Sequence, residues 1–215
     1  MRGTQLLCEA LAKLDRPPRV LASASAIGFY GHRGDLELNE RSSSGDDFLA
    51  GVCREWEAAT EPAKAAGIRV VNLRTGVVLS SRGGGLAKML TPFRLGLGGV
   101  IGNGQQWMGW IVLDDVVRAI EHILTTESLS GPVNLVAPHP VTNREFTKTL
   151  GGVLGRPTIF PMPAFVARLA FGEMADALLL SSTRVVPQRL LDSGFVFAEP
   201  DLAGGLKRAL TDAGK

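Results

Sequence analysis

Apolar residues recur at helical spacing near the start of the chain. Leu6, Leu7, Ala10, Leu11 and Leu14 share one face, which predicts a helix over 4–14 that the pair Pro17-Pro18 brings to an end. The run RVLASAS over 19–25 is short and nearly all apolar, the pattern of a strand covered on both faces. Residues 28–45 are polar and rich in glycine and serine, so they read as a surface loop. Asp46 and Asp47 then predict the start of a helix that runs to Ala66 and stops at Gly67. A second buried strand is expected over 68–73 (IRVVNL). It is followed by a glycine-rich loop over 82–85, a helical segment to Leu95 and an extended segment over 107–113. An amphipathic helix over 114–126 opens on Asp114 and Asp115, with Asp115 expected as its cap. VNLV over 133–136 is a third short strand, and 142–154 is a helix capped by Thr142 or Asn143.

Strands alternating with helices imply a parallel α/β sheet built from right-handed crossovers. After Gly155 the pattern changes. Prolines at 157, 161, 163, 187 and 200 divide the chain into short helices and loops, which reads as a smaller, mostly helical cap packed on the sheet.

Composition narrows the function classes. The 215 residues are 45% hydrophobic and 20% charged, ample for a core and unlike a disordered chain. Their formal net charge of +2 gives no reason to expect a nucleic-acid or anionic-membrane partner. The apolar run over 164–171 contains Arg168 and is far shorter than the roughly 20 residues that cross a membrane. The N-terminus reaches Glu9 before any signal-like core develops, and Cys8 and Cys53 read as reduced thiols of a cytoplasmic protein. His32, His122 and His139 share no ligand spacing, so no metal site is expected. There is no G-x-S-x-G elbow, and neither Gly83-Gly84-Gly85 nor Gly102-x-Gly104 continues into a phosphate-binding pattern.

Candidate chemistry gathers at the end of the first strand, over SASAIGFYG at 23–31. Ligands of open α/β sheets bind beyond the carboxyl ends of the strands. Ser25 there either hydrogen-bonds a ligand or caps the loop. Tyr30, the chain's single tyrosine, is either an acid/base phenol or a packed rim aromatic.

This segment resembles the S-S-x-x-x-Y-G stretch of extended short-chain dehydrogenase/reductases, the nucleotide-sugar epimerase-like enzymes. GDDFL at 45–49, WEAA at 56–59, LRTGVVL at 73–79, GGG at 83–85, PFRLGLGG at 92–99 and IGNGQQW at 101–107 narrow the likeness to NAD(P)-dependent epimerase family proteins. Beyond Phe160, Gly172-Glu173, VPQRL at 186–190 and GFVF at 194–197 resemble that group's C-terminal domain of unknown function. The resemblance implies the C-terminal part of a Rossmann-type sheet domain over 1–79 and 111–138. It also implies a substrate or cap region over 80–110 and 139–215, with the subfamily's own domain at about 160–211. The first βαβ half, with its phosphate loop, would be missing, so the chain reads as N-terminally truncated.

The implied function is that of a sugar-epimerase-like oxidoreductase or isomerase using NAD or NADP on a small-molecule substrate such as a sugar nucleotide, with the fragment itself inactive. In that reading Ser25 and Tyr30 are catalytic. Ser25, Thr75, Gly76 and Val77 line the cofactor, and Arg94 and Trp107 face the substrate. The Tyr-x-x-x-Lys dyad of the wider superfamily is absent, because Leu49 and Cys53 occupy its places on the corresponding helix. That departure keeps open a second reading, a non-catalytic nucleotide-sensing or partner-binding protein. With its neighbour missing, the first strand would also leave an open edge prone to self-association.

Overall fold

In the computed structural model, residues 2–165, 169 and 180–211 are described; the Gly172-Glu173 motif lies outside the described residues. Strands β1 (Val20–Ala26), β3 (Arg69–Thr75) and β7 (Gly131–Leu135) form a parallel three-stranded sheet in the order β1-β3-β7. Its register sets Ser25 beside Arg74 and Arg74 beside Asn134, and one step on it sets Ala26, Thr75 and Leu135 abreast. The carboxyl ends of all these strands therefore meet in one row. The outer edge of β1 pairs with no other strand among the described residues.

Helix α1 (Arg2–Leu11) ends earlier than its apolar spacing predicts. Its contact with the sheet runs through Cys8 and Leu11, which pack with Ala63, Ile68, Val70 and Leu21. Leu6 and Leu7 stay more than half exposed. Asp47 caps α2 (Phe48–Ala58) by accepting from the Ala50 N–H at 2.8 Å. The predicted single helix to Ala66 is broken. Pro62 lacks an N–H and crowds the preceding turn, a conflict tolerated only at a helix start, and α3 (Glu61–Ala65) begins anew there. Gly67 at φ 84° ends it, as its sequence position suggests.

Short strands arise where no periodicity announces them. β2 (Glu37–Leu38) lies inside the expected loop and pairs in parallel with β9 (Arg184–Val185). β4 (Val77–Leu79) pairs with β6 (Trp110–Val112), and β5 (Trp107–Met108) runs antiparallel to β8 (Val141–Thr142). The extended segment over 107–113 thus serves separate pairs on either side of Gly109. Helix α6 (Asn143–Leu154) starts on a complete capping box between Thr142 and Glu145 and ends at Gly155.

One core cluster joins α4 (Gly84–Arg94) through Leu86, Leu90 and Phe93 to Trp110, to Phe146 and Leu150 of α6, and to Leu206 of the helix Leu202–Thr211. A second covers the sheet with Val71, Leu73, Val133 and Ile123, and it takes in Leu190, Phe195 and Phe197 from the C-terminal segment.

Asp115 departs from its expected role. Helix α5 (Leu113–Thr125) has Val112 at its cap position with no side-chain cap bond. Asp115, one turn in and fully buried, accepts from the Ala198 N–H at 2.9 Å, the Glu199 N–H at 3.1 Å and Arg118 Nη1 at 2.7 Å. It is an anchor for the C-terminal segment. Replacing it with alanine removes three hydrogen bonds to a charged group and leaves part-buried N–H groups unpaired, so Asp115→Ala should cost about 2–4 kcal/mol in urea unfolding. A loss within the noise of a surface substitution would contradict the anchoring role.

Candidate functional site

Arg74 stands in the middle of the strand-end row and is 3% exposed. Its Nε and Nη2 donate to Glu57 Oε1 at 2.8 Å and Oε2 at 2.9 Å, a fork-to-fork pair between β3 and α2. Nη1 donates to the Tyr30 hydroxyl at 3.1 Å, and the guanidinium lies 3.4 Å from the centre of the Phe29 ring. Tyr30 in turn donates to Asn134 Oδ1 at 2.7 Å, and Ser25 Oγ donates to Glu57 Oε1 at 2.8 Å. One polar network therefore ties β1, β3, β7, α2 and the 3₁₀ turn Ile27–Tyr30 together.

Local geometry allows this closeness. Gly28 lies against α2, where a Cβ would make ordinary contacts with Leu49 Cβ at 3.6 Å and Cys53 Sγ at 3.9 Å. Gly45 crosses so near that its Cβ would approach the Tyr30 carbonyl to 2.7 Å. Leu49, Cys53 and Glu57 recur every fourth residue, so one face of α2 brings all of them towards the serine strand.

The electrostatics follow from burial and pairing. Desolvation works to lower the Arg74 pKa, but its bonds to Glu57 and Tyr30 outweigh it and hold the guanidinium above its usual value. Burial pushes the Tyr30 phenol up, against the opposing pull of Arg74 and Asn134. Burial likewise raises the Cys53 thiol, and both cysteines are free.

The expected site residues separate into groups. Ser25 is in the network and 5% exposed. Tyr30 is fully buried, its hydroxyl donating to Asn134 and accepting from Arg74, so in this arrangement it links β3 to β7. Thr75 ends β3 with its hydroxyl donating to the Leu73 carbonyl at 3.2 Å. Gly76 is pressed against a neighbouring loop, since a Cβ would come within 2.6 Å of the Gly109 carbonyl oxygen. Val77 donates its N–H to that same oxygen at 2.8 Å. Arg94 is exposed in the last turn of α4. Trp107 donates from its indole to Asp35 at 2.9 Å and stacks on Arg184. Neither Arg94 nor Trp107 shares a hydrogen bond or ion pair with the Ser25 network among the described residues. Glu57 and Asn134 escaped the sequence reading as site residues. Only the four-residue spacing from Leu49 through Cys53 to Glu57 could have pointed to Glu57.

Glu40 closes the outer side of β7. Its Oε1 accepts from the Asn134 N–H at 3.0 Å and the Arg189 N–H at 3.4 Å, and its buried Oε2 has no partner among the described residues. Among the described residues no group of His, Cys, Asp or Glu is arranged to hold a metal, and no helix is long and apolar enough to cross a membrane.

Residues 162–209 match a family model described as a domain of unknown function, DUF1731. An epimerase family protein of Mycobacterium bovis is 45% identical over 211 residues, covering 98% of this chain and 69% of the relative. The human epimerase family protein SDR39U1 is 39% identical over 209 residues, covering 96% of this chain and 71% of the relative. The crystal structure of that human protein with NADPH superposes with a TM-score of 0.93 at 37% identity, over 98% of this chain and 72% of that one. A nucleoside-diphosphate sugar epimerase from Corynebacterium glutamicum superposes with a TM-score of 0.77 at 40% identity, over 95% of this chain and 41% of that one.

Burial raises the Glu40 carboxyl, and the N–H groups of Asn134 and Arg189 only partly oppose it. The folded state then holds this proton more tightly than the unfolded state does. Its contribution is complete in acid and is lost as pH rises through the folded-state value. Glu40→Gln should therefore gain stability relative to the parent between the ordinary carboxyl range and neutrality. Urea unfolding over that range gives converging or crossing curves if this is right, and parallel curves if it is not.

Proposed function

The chain belongs to the epimerase family typified by these relatives, and from that membership we propose that it carries the strand-end site of an NAD(P)-dependent, sugar-epimerase-like oxidoreductase or isomerase. The observation that carries the reading is the superposition over nearly the whole chain on a relative whose structure contains NADPH. The residues present fit such a group. Thr75, Gly76 and Val77 are partly exposed at the strand ends, and Ala24, Ala26 and Gly28 are small enough to admit a flat ring there. NAD(P) would supply hydride chemistry when bound. Thr75 to Val77 would hold its nicotinamide, Ser25 would hold the reacting oxygen, and Arg94 and Trp107 would face a sugar-nucleotide substrate across the cap region.

No glycine cluster in these 215 residues has the dinucleotide-binding pattern, so none of them is assigned the pyrophosphate grip. A second reading, a nucleotide-sensing protein without turnover, is favoured by Leu49 and Cys53 standing on the α2 face where the superfamily carries its dyad, and by the enclosure of Tyr30.

Fluorescence titration with NADPH tests the reading on two proteins: this chain, and this chain preceded by the N-terminal residues of the mycobacterial relative. The extended protein should bind, this chain alone should bind far more weakly for want of phosphate donors, and Thr75→Trp should weaken the extended protein about tenfold or more. Failure of the extended protein to bind would overturn the cofactor assignment. Binding without turnover of any sugar nucleotide or carbonyl compound would favour the second reading.

A further inference from the structure

The hydroxyl groups at the carboxyl ends of the sheet send their protons inward. Ser25 donates to Glu57, Tyr30 to Asn134 and Thr75 to the Leu73 carbonyl. For Ser25 the direction is forced. Glu57 receives Arg74 at both carboxylate oxygens, and a carboxylate so paired accepts hydrogen bonds and donates none. A serine facing it can only be the donor, which leaves lone pairs as all that Ser25 offers in any other direction. Tyr30 is fixed in the same way, because Arg74 Nη1 already donates to its oxygen. Each nitrogen of Arg74 makes an inward bond, Nε and Nη2 to Glu57 and Nη1 to Tyr30. Ser25 and Thr75 stand on neighbouring strands, with Thr75 beside Ala26 in the register. Thr75, level with Ala26, faces the opposite side of the sheet from Ser25 and Arg74, and Tyr30 is fully buried, so of these hydroxyls Ser25 alone stands beside Glu57 with lone pairs unspent.

We propose that Glu57, held by Arg74, is a positioning residue that takes the Ser25 proton and leaves Ser25 an acceptor towards a ligand at the strand ends, which selects that ligand by a donor group, an alcohol hydroxyl in preference to a carbonyl. This deepens the reading above and rests on it only for where the site lies. The sense of the hydrogen bond at Ser25 sets the preference, and that sense is set on α2, one helical turn beyond the place where the superfamily carries its lysine.

Amide NMR shifts of Ser25, Ala26, Thr75 and Gly76 in the 215-residue chain, followed during separate titrations with cyclohexanol and cyclohexanone, test this without any cofactor. The parent should bind the alcohol about tenfold more tightly, the scale of one hydrogen bond available to one probe and denied to the other. Glu57→Gln places an amide donor against Ser25 and frees the serine proton to turn outward, so the preference should vanish or reverse. Because that variant strips Arg74 of its counter-charge, Ser25→Ala provides an independent arm that leaves the ion pair whole. It should lose the affinity for cyclohexanol and leave that for cyclohexanone unchanged. Equal affinities in the parent, a preference for the ketone, no shift with either probe, or an alcohol preference that survives both substitutions would overturn the proposal. None of these results would touch the NADPH titration, so the two readings fail separately.

Discussion

A buried guanidinium is the constraint on which the strand-end site depends. The Arg74 and Glu57 side chains are 4% and 13% exposed, so each loses most of its hydration on folding. Such a loss is offset only by good geometry and by partners for the remaining donors. The pair is bidentate, the spare Nη1 finds the Tyr30 hydroxyl, and the Phe29 ring covers the cation. An isolated surface pair such as Lys64–Glu61 has none of this support and contributes little.

Much of the surrounding architecture answers to that pair. Helix α2 packs against the turn that follows the serine strand, and the loop leading into α2 passes over Tyr30 at a distance that only Gly45 permits. Tyr30 extends the network to Asn134, whose Nδ2 donates to the Val186 carbonyl and whose N–H reaches Glu40. Elements from opposite ends of the chain are thus joined by side-chain hydrogen bonds across the row of strand ends. Family membership and the NADPH-bound relative give this row its functional interest, and the network determines which atoms it can offer a ligand.

The sheet was legible in the sequence because buried parallel strands read as short, mostly apolar runs, and RVLASAS over 19–25 and IRVVNL over 68–73 fall on β1 and β3. Helix starts were legible where a side chain caps the backbone, as at Asp47 and Thr142. They were misread at Asp115, where the same residue type serves a tertiary contact with residues 198 and 199. The break between α2 and α3 was hidden because Pro62 fits a first helical turn and so disturbs no pattern until the chain is built. β2 and β9 are too short to show a period, and their pairing joins segments far apart in sequence. The serine strand end announced itself as a site by position and composition, but not the roles within it. Whether Tyr30 works as a phenol or a link depends on Arg74 and Asn134, and neither carries a local signal that it will meet the tyrosine.

Arg74 and Glu57 act as one unit in holding the strand ends. A double-mutant cycle in unfolding free energy measures this directly, with Arg74→Met, Glu57→Leu and both together. Each single variant leaves a buried charge without its partner and should cost about 3–5 kcal/mol, whereas removing both should cost much less than the sum. A coupling energy of about 2 kcal/mol or more is the predicted result. Single losses that add to within about 0.5 kcal/mol would show that the two residues stand side by side without depending on each other, and would contradict the account.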